Sequence, residues 1–232
     1  MKIADNISFE EAATLGVGIT TVGQGLYQNI GLPLPPAKVS EPAWILIYGG
    51  STATGTLAIQ FAKLSGLKVV STSSPHNFDL LKKLGADEVY DYKEPDVGAK
   101  IREATGDSLK LVFDTIAEGS SPGISAAAIS SKGGKYASIL LVKEFPRDDV
   151  SNTWTLAYTA FGEHFSAQYP ANEADYEFGA RFWAVSEDLI NSGKIKPHPV
   201  EVREGGLEGI PQGLQDLKDG KVSGVKLVYK IE

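Results

Sequence analysis

Apolar positions in this chain follow two alternating rules, and each change of rule marks an element. Trp44 to Tyr48 is an unbroken, β-rich apolar run, the pattern of a strand covered on both faces. From Thr52 the period lengthens. Leu57, Phe61 and Leu64 share a helical stripe beside Ala58 and Ala62, and Gly66 stands where a left-handed cap would stop the helix. The alternation then repeats: strands are expected at 67–73, within 85–92, at 109–114 and at 135–141, with helices after Ser74, at 101–105 and at 125–129. Strands alternating with helices at this spacing imply parallel pairing through right-handed crossovers, hence an α/β fold with a doubly wound parallel sheet of the Rossmann kind.

The flanks follow other patterns. Ser8 and Glu11 form a capping box ahead of Ala12, Ala13 and Leu15, so a tightly packed helix is expected there. In 16–31 the glycines permit close packing or ligand approach, and Thr20 and Thr21 can present hydroxyls; Pro33, Pro35 and Pro36 then make a stiff connector. After Val142 the pattern loosens, and 144–154 is expected to be a surface excursion. The 159–163 stretch reads as either a sixth strand or a loop over a pocket. A helix across 175–192 is carried by Phe178, Phe182, Val185 and Leu189 and closed at Gly193. The last 35 or so residues combine a strand-like 198–202, a short helix with Ile210, Leu214 and Leu217, and a final strand in which Val225, Leu227, Tyr229 and Ile231 alternate, as in part of a second module.

Chemistry concentrates in the turn between the first strand and its helix. Gly50 and Gly55 match the outer glycines of the fingerprint G-x-G-x-x-G, while Thr52 occupies the middle position, so the strict motif fails. Hydroxyls of Ser51, Thr52 and Thr54 can compensate, by donating to phosphate oxygens and by capping the helix, whose unpaired N–H groups suit a pyrophosphate. The competing reading is a strand–turn–helix that holds no ligand. An NAD-preferring site places a carboxylate at the end of the second strand; here the chain reads Ser71-Thr72-Ser73-Ser74-Pro75-His76-Asn77, which tolerates a 2′-phosphate and favours NADP. Ser74, Pro75 and Asn77 also suit a helix start, and both roles can coexist. Tyr92 either stacks on an adenine or covers a sheet edge.

Composition narrows the partners. The 232 residues, 42% of them hydrophobic, support a sizeable core. With 22 Lys and Arg against 29 Asp and Glu, a net charge of −7, and no basic run, nucleic acid and anionic membrane are poor partners. There are no cysteines, and His76, His164 and His198 are scattered, so no metal site is expected. No apolar run reaches spanning length and the first residues lack a signal-peptide core; a cytoplasmic protein is expected.

The segments GGSTATG, SSPHNFDLLKKLGAD, TAFGE and GKVSGVKLVYKIE resemble the zinc-independent medium-chain dehydrogenase/reductase superfamily, in particular the fungal trans-acting enoyl reductases of polyketide synthesis, of lovastatin and ToxD-like type. The resemblance covers nearly the whole chain. It implies an N-terminal helical segment and linker over 1–37, a Rossmann NADP-binding domain over 38–197, and in 198–232 a C-terminal remnant of a GroES-like catalytic domain. In such relatives roughly a hundred further residues of that domain precede the point where this chain begins.

The activity implied is NADPH-dependent reduction of a carbon–carbon double bond conjugated to a thioester carbonyl, on a small-molecule or carrier-bound acyl substrate supplied by a polyketide synthase. Residue by residue, the resemblance sets Ser51, Thr52, Ala53 and Thr54 at the diphosphate and Ser74, His76 and Asn77 near the 2′-phosphate. It sets Tyr92 by the adenine, Ile139 and Leu140 toward the nicotinamide, and Ser223 and Gly224 against the cofactor. Gly18, Thr20, Phe161 and Gly162 fall in segments that line the acyl pocket, and Thr20 is the expected donor to the enolate oxygen. Two rivals stand beside this reading: an NADP-binding fragment or paralogue without catalysis, and a reductase of quinones or other enones.

Overall fold

A computed structural model describes residues 2–231. Its centre is a six-stranded, all-parallel sheet in the order β3-β2-β1-β4-β5-β6. The strands are β1 (Trp44–Tyr48), β2 (Lys68–Ser73), β3 (Glu88–Asp91), β4 (Leu111–Asp114), β5 (Gly134–Ser138) and β6 (Val150–Trp154). Successive side chains of a strand point to opposite faces, and β1 divides accordingly. Ile45 and Ile47 enter one core cluster, whereas Leu46 and Tyr48 enter the other.

Each cluster is closed by its own helices. On the first face lie α2 (Gly16–Val22), α3 (Ala53–Leu64), α4 (Phe78–Lys83) and α7 (Glu173–Asn191), which give buried side chains to the core, among them Ile19, Phe61, Leu81 and Phe182, whereas α1 (Phe9–Ala12) buries no residue. On the second lie α5 (Val97–Ala104) and α6 (Ser121–Ala128), with Val97, Ile101 and Ala128 packed near Tyr136 and Val112. This is the doubly wound α/β arrangement that the alternation of periods predicts.

The glycine-rich 16–31 stretch is helical almost throughout: α2 runs on into a π-helix at Gly23–Asn29. Its glycines serve packing. A Cβ at Gly25 would lie 2.4 Å from the Phe113 ring, and one at Gly23 2.5 Å from that of Phe182. The 144–154 stretch needs a correction, because it ends in β6, which pairs with β5 from Gly134↔Val150 to Ser138↔Trp154. As an edge strand with Ser151 and Asn152 exposed, β6 lacks the apolar run that betrays a buried strand. The 159–163 stretch is accordingly no strand: Ala157–Phe161 is a 3-10 helix closed by Gly162 at φ 70°.

A separate two-stranded sheet ends the chain. β7 (Val200–Arg203) and β8 (Lys226–Tyr229) pair in parallel around α8 (Gly206–Lys218). Internally, Arg203 bridges Asp216 at 2.6 Å. This unit is thinly covered, with Leu207, Leu214 and Leu217 each more than half exposed. Few polar contacts tie it and its lead-in to the body. Gln60 exchanges hydrogen bonds with the backbone of Lys196 at 2.7 and 3.0 Å, and Lys230 pairs with Glu10 at 2.6 Å.

Candidate functional site

The strand order reverses between β1 and β4, the place where a doubly wound sheet opens a crevice at its carboxyl edge. The turn leaving β1 is fixed to its neighbour, since the Gly49 amide donates to Thr72 Oγ1 at 3.0 Å and the Gly50 amide to the Thr72 carbonyl at 2.9 Å. Thr52 then caps α3: its Oγ1 accepts from the Gly55 amide at 2.8 Å. Gly55 must be glycine, because a Cβ there would lie 2.3 Å from the Gly49 carbonyl oxygen. The close strand-to-helix packing of the fingerprint's last position is thus present without the strict motif.

The Thr52 hydroxyl is engaged within the protein. It lies 2.9 Å from that of Thr115, which lies 2.8 and 2.9 Å from the carbonyls of Tyr48 and Gly49. Carbonyls only accept, so the Thr115 proton goes to one of them and the Thr52 proton goes to Thr115. The Thr52 amide is also used, donating to the Gly49 carbonyl at 3.0 Å. Ser51 and Thr54 keep their hydroxyls as candidate donors, and the amides of Ala53 and Thr54, first in the helix, have no intrahelical acceptor. With the positive end of the α3 dipole, they make a candidate anion-binding element.

A cavity of about 370 Å³ opens from this turn toward the ends of β2 and β3, with Ser51, Thr52, Ser74, Tyr92 and Ser223 in its wall. A second, of about 620 Å³, shares Ser51, Thr52 and Ser223 and adds Ala53, His198 and Gly224. The wall common to both joins the helix start to the loop before β8. There Ser223 Oγ lies 2.9 Å from His76 Nε2 and accepts from Asn77 Nδ2 at 2.9 Å. Gly224, at φ 70°, permits the approach, for a Cβ would lie 2.5 Å from Asn77 Oδ1. Residues 147 apart in sequence, His76 and Ser223, therefore meet at the end of β2.

The remaining expected residues are dispersed. Ile139 follows β5, its amide 3.2 Å from the Asp114 carbonyl, and Leu140 is half exposed; neither lines the two cavities. Thr20, on α2, accepts from Trp183 Nε1 at 3.0 Å. Gly18 packs on Leu57, Phe161 is exposed, and Gly162 lies against Tyr176.

Sequence reasoning missed the loop after β4, where Ile116, Glu118 and Ser120 line the smaller cavity beside Tyr48. The signal for it is the switch point itself. Asp114, fully buried, shapes this loop by accepting from the amides of Ile116 and Ala117, each at 2.9 Å, and from the Tyr136 phenol at 2.8 Å. Burial, reinforced by Asp114, pushes the Tyr48 phenol up to about 12, so it stays a neutral donor. His198 was also missed. It is 2% exposed, with Nδ1 2.9 Å from Thr56 Oγ1, and burial holds its ring down to about 4 against the Val225 backbone, which favours the charged form.

The profile of a family described as zinc-binding dehydrogenase matches residues 53–148. Zinc has no evident home: the chain has no cysteine, and among the described residues no three His, Asp or Glu side chains are grouped to hold a metal. A trans-enoyl reductase of Alternaria alternata, ACTTS2, is 66% identical over 231 residues, covering 100% of this chain and 67% of that protein. The enoyl reductase component lovC of the lovastatin nonaketide synthase of Aspergillus terreus is 40% identical over 243 residues, again covering 100% of this chain and 67% of that protein. The crystal structure of CurK enoyl reductase has the same fold, with a TM-score of 0.77 at 22% identity over 100% of this chain and 65% of that one. The chain therefore spans about two thirds of the length of these relatives.

Proposed function

Since this chain belongs to the medium-chain dehydrogenase/reductase superfamily, among the fungal trans-enoyl reductases, we propose that it binds NADPH across the carboxyl edge of its sheet and reduces the double bond of an enoyl thioester. The observation that carries the cofactor assignment is the carboxylate-free cluster of His76, Asn77 and Ser223 at the end of β2, where an NAD site would carry a carboxylate. In this reading Ser51, Thr54 and the first amides of α3 hold the diphosphate. Ser74, His76, Asn77 and Ser223 receive the 2′-phosphate, and Tyr92 flanks the adenine. Residues 38–197 make the nucleotide domain behind a helical 1–37 segment, and 198–232 belongs to a GroES-like catalytic domain.

The cofactor, when bound, supplies the hydride for the β-carbon. The chain's own residues orient the acceptor and stabilise charge on the thioester oxygen. Ile139 and Leu140 border the nicotinamide end, and Gly18, Phe161 and Gly162 border the acyl chain. Thr20 suits the donor role because its oxygen accepts from Trp183 and so leaves its own proton to give. The acyl group comes on a polyketide synthase carrier or as a free thioester.

Calorimetric titration with NADPH and NADH, followed by fluorescence of NADPH on adding a crotonyl thioester, tests the proposal. Tighter NADPH binding and loss of fluorescence are expected; no heat from either nucleotide would overturn it. A second reading is nucleotide binding without catalysis. Binding without oxidation would favour that one.

A further inference from the structure

Asp114 ends β4 at the switch point, fully buried, and its oxygens hold the segments that follow β4 and β5. Oδ1 accepts from the amides of Ile116 and Ala117, Oδ2 accepts from the Tyr136 phenol, and the carbonyl accepts from the Ile139 amide. Burial, with the Asp114 charge behind it, pushes the Tyr136 phenol far above its ordinary range, so Tyr136 is the donor in that bond.

The loop after β4 depends on this anchor. Ala117 sits at φ 61°, in the left-handed region. Among the described residues the other non-glycine positions with positive φ are Asp96 and Asp107, and aspartate tolerates that region because its own side chain can bond the nearby backbone. Alanine has no such group. The bond from its amide to Asp114 stands in for one.

The left-handed turn decides where Ile116 goes. A Cβ built on Gly49, in the turn leaving β1, would lie 2.7 Å from Ile116 Cγ1, so this side chain rests directly on that turn. There Ile116 is 37% exposed and lines the smaller cavity with Tyr48, Ser74 and Tyr92. Asp114 itself lines neither cavity at the helix start.

From these contacts we infer that Asp114 is a positioning residue for the nucleotide: oriented by Tyr136, it holds Ala117 left-handed and thereby sets Ile116 as an apolar wall beside the adenosine half. That a nucleotide lies there rests on the reductase reading above. The dependence of the wall on Asp114 rests on the contacts alone.

The test compares the two halves of the cofactor on the whole chain, by calorimetry with 2′,5′-ADP and by fluorescence titration with reduced nicotinamide mononucleotide. Asp114→Ala should bind 2′,5′-ADP about tenfold more weakly and the mononucleotide unchanged. Adding Ala117→Gly should restore much of the lost affinity, because glycine enters the left-handed region without an anchor. Tyr136→Phe keeps the ring and both amide bonds to Asp114 and should show the same split at about threefold. It carries the test should circular dichroism show Asp114→Ala unfolded. A wild-type chain that binds no 2′,5′-ADP would overturn the nucleotide reading, and this inference with it. With wild-type binding established, unchanged affinity in the variants, or equal losses for both halves, would overturn the positioning role alone. A loss that Ala117→Gly leaves untouched would overturn the left-handed turn as its means.

Discussion

The two halves of the nucleotide crevice are built on opposite principles. On one side, β1, the turn and α3 form a contiguous stretch in which every β1 residue after Trp44 is buried and the turn is hydrogen-bonded to β2 and Thr115. On the other, the β7–α8–β8 unit leaves three leucines exposed and reaches the crevice through a few contacts, chiefly His198 to Thr56 and Ser223 to His76 and Asn77. A rigid cradle facing a lightly held flap separates affinity from docking: damage to the first should remove nucleotide binding outright, and damage to the second should loosen it.

Thr52→Asp makes the sharpest attack on the cradle. Aspartate is a good N-cap, so α3 survives, but its charge would face the diphosphate. At about 4 Å and an effective dielectric near 20 the repulsion is about 4 kcal/mol, so NADPH and NADH should both lose roughly a thousandfold in affinity by calorimetry. An unchanged affinity would detach the diphosphate from the start of α3.

Acid should attack the flap instead. His198 titrates near 6.5 when unfolded and near 4 in the folded protein, so between these values the unfolded state binds the extra proton. Stability contributed by the neutral buried ring is therefore present above pH 6.5 and is lost as pH falls toward 4, by about 3 kcal/mol in all. Urea unfolding across this window should show the loss, and His198→Gln should flatten it. A profile equally steep in the variant would assign the acid sensitivity elsewhere.

The same contrast explains what the sequence reveals. The strand, the cap at Thr52, the packing glycine at Gly55 and the helical stripe lie within one short run, so local periodicity and capping chemistry suffice to find them. His198 was not legible, because its partner Thr56 is 142 residues away and a lone histidine carries no local signal. β6 escaped for another reason: an exposed edge strand need not be apolar. The π winding of Gly23–Asn29 depends on seating Gly23 and Gly25 against Phe182 and Phe113, contacts that no local pattern encodes. The glycines there announced close approach, but not to what.

A smaller effect is expected where cradle and flap meet. His76→Glu removes the imidazole beside Ser223 and sets a carboxylate near the proposed 2′-phosphate. NADPH should weaken about tenfold, or about 1.4 kcal/mol, with NADH little changed. Equal losses for both nucleotides would mean that His76 serves docking of the flap rather than selection of the phosphate.

Gly224→Ala separates those two roles from the other side. A residue other than glycine at φ 70° costs about 1 kcal/mol, and the new Cβ would press on Asn77 Oδ1, so Ser223 would be drawn from His76 and Asn77 with every cradle residue intact. Urea unfolding should register a loss of about that size. If the flap supplies a ligand to the 2′-phosphate through Ser223, NADPH affinity should fall severalfold while NADH affinity holds. If it only covers the crevice, both nucleotides should weaken together, and discrimination between them would then belong to β2 and His76 alone.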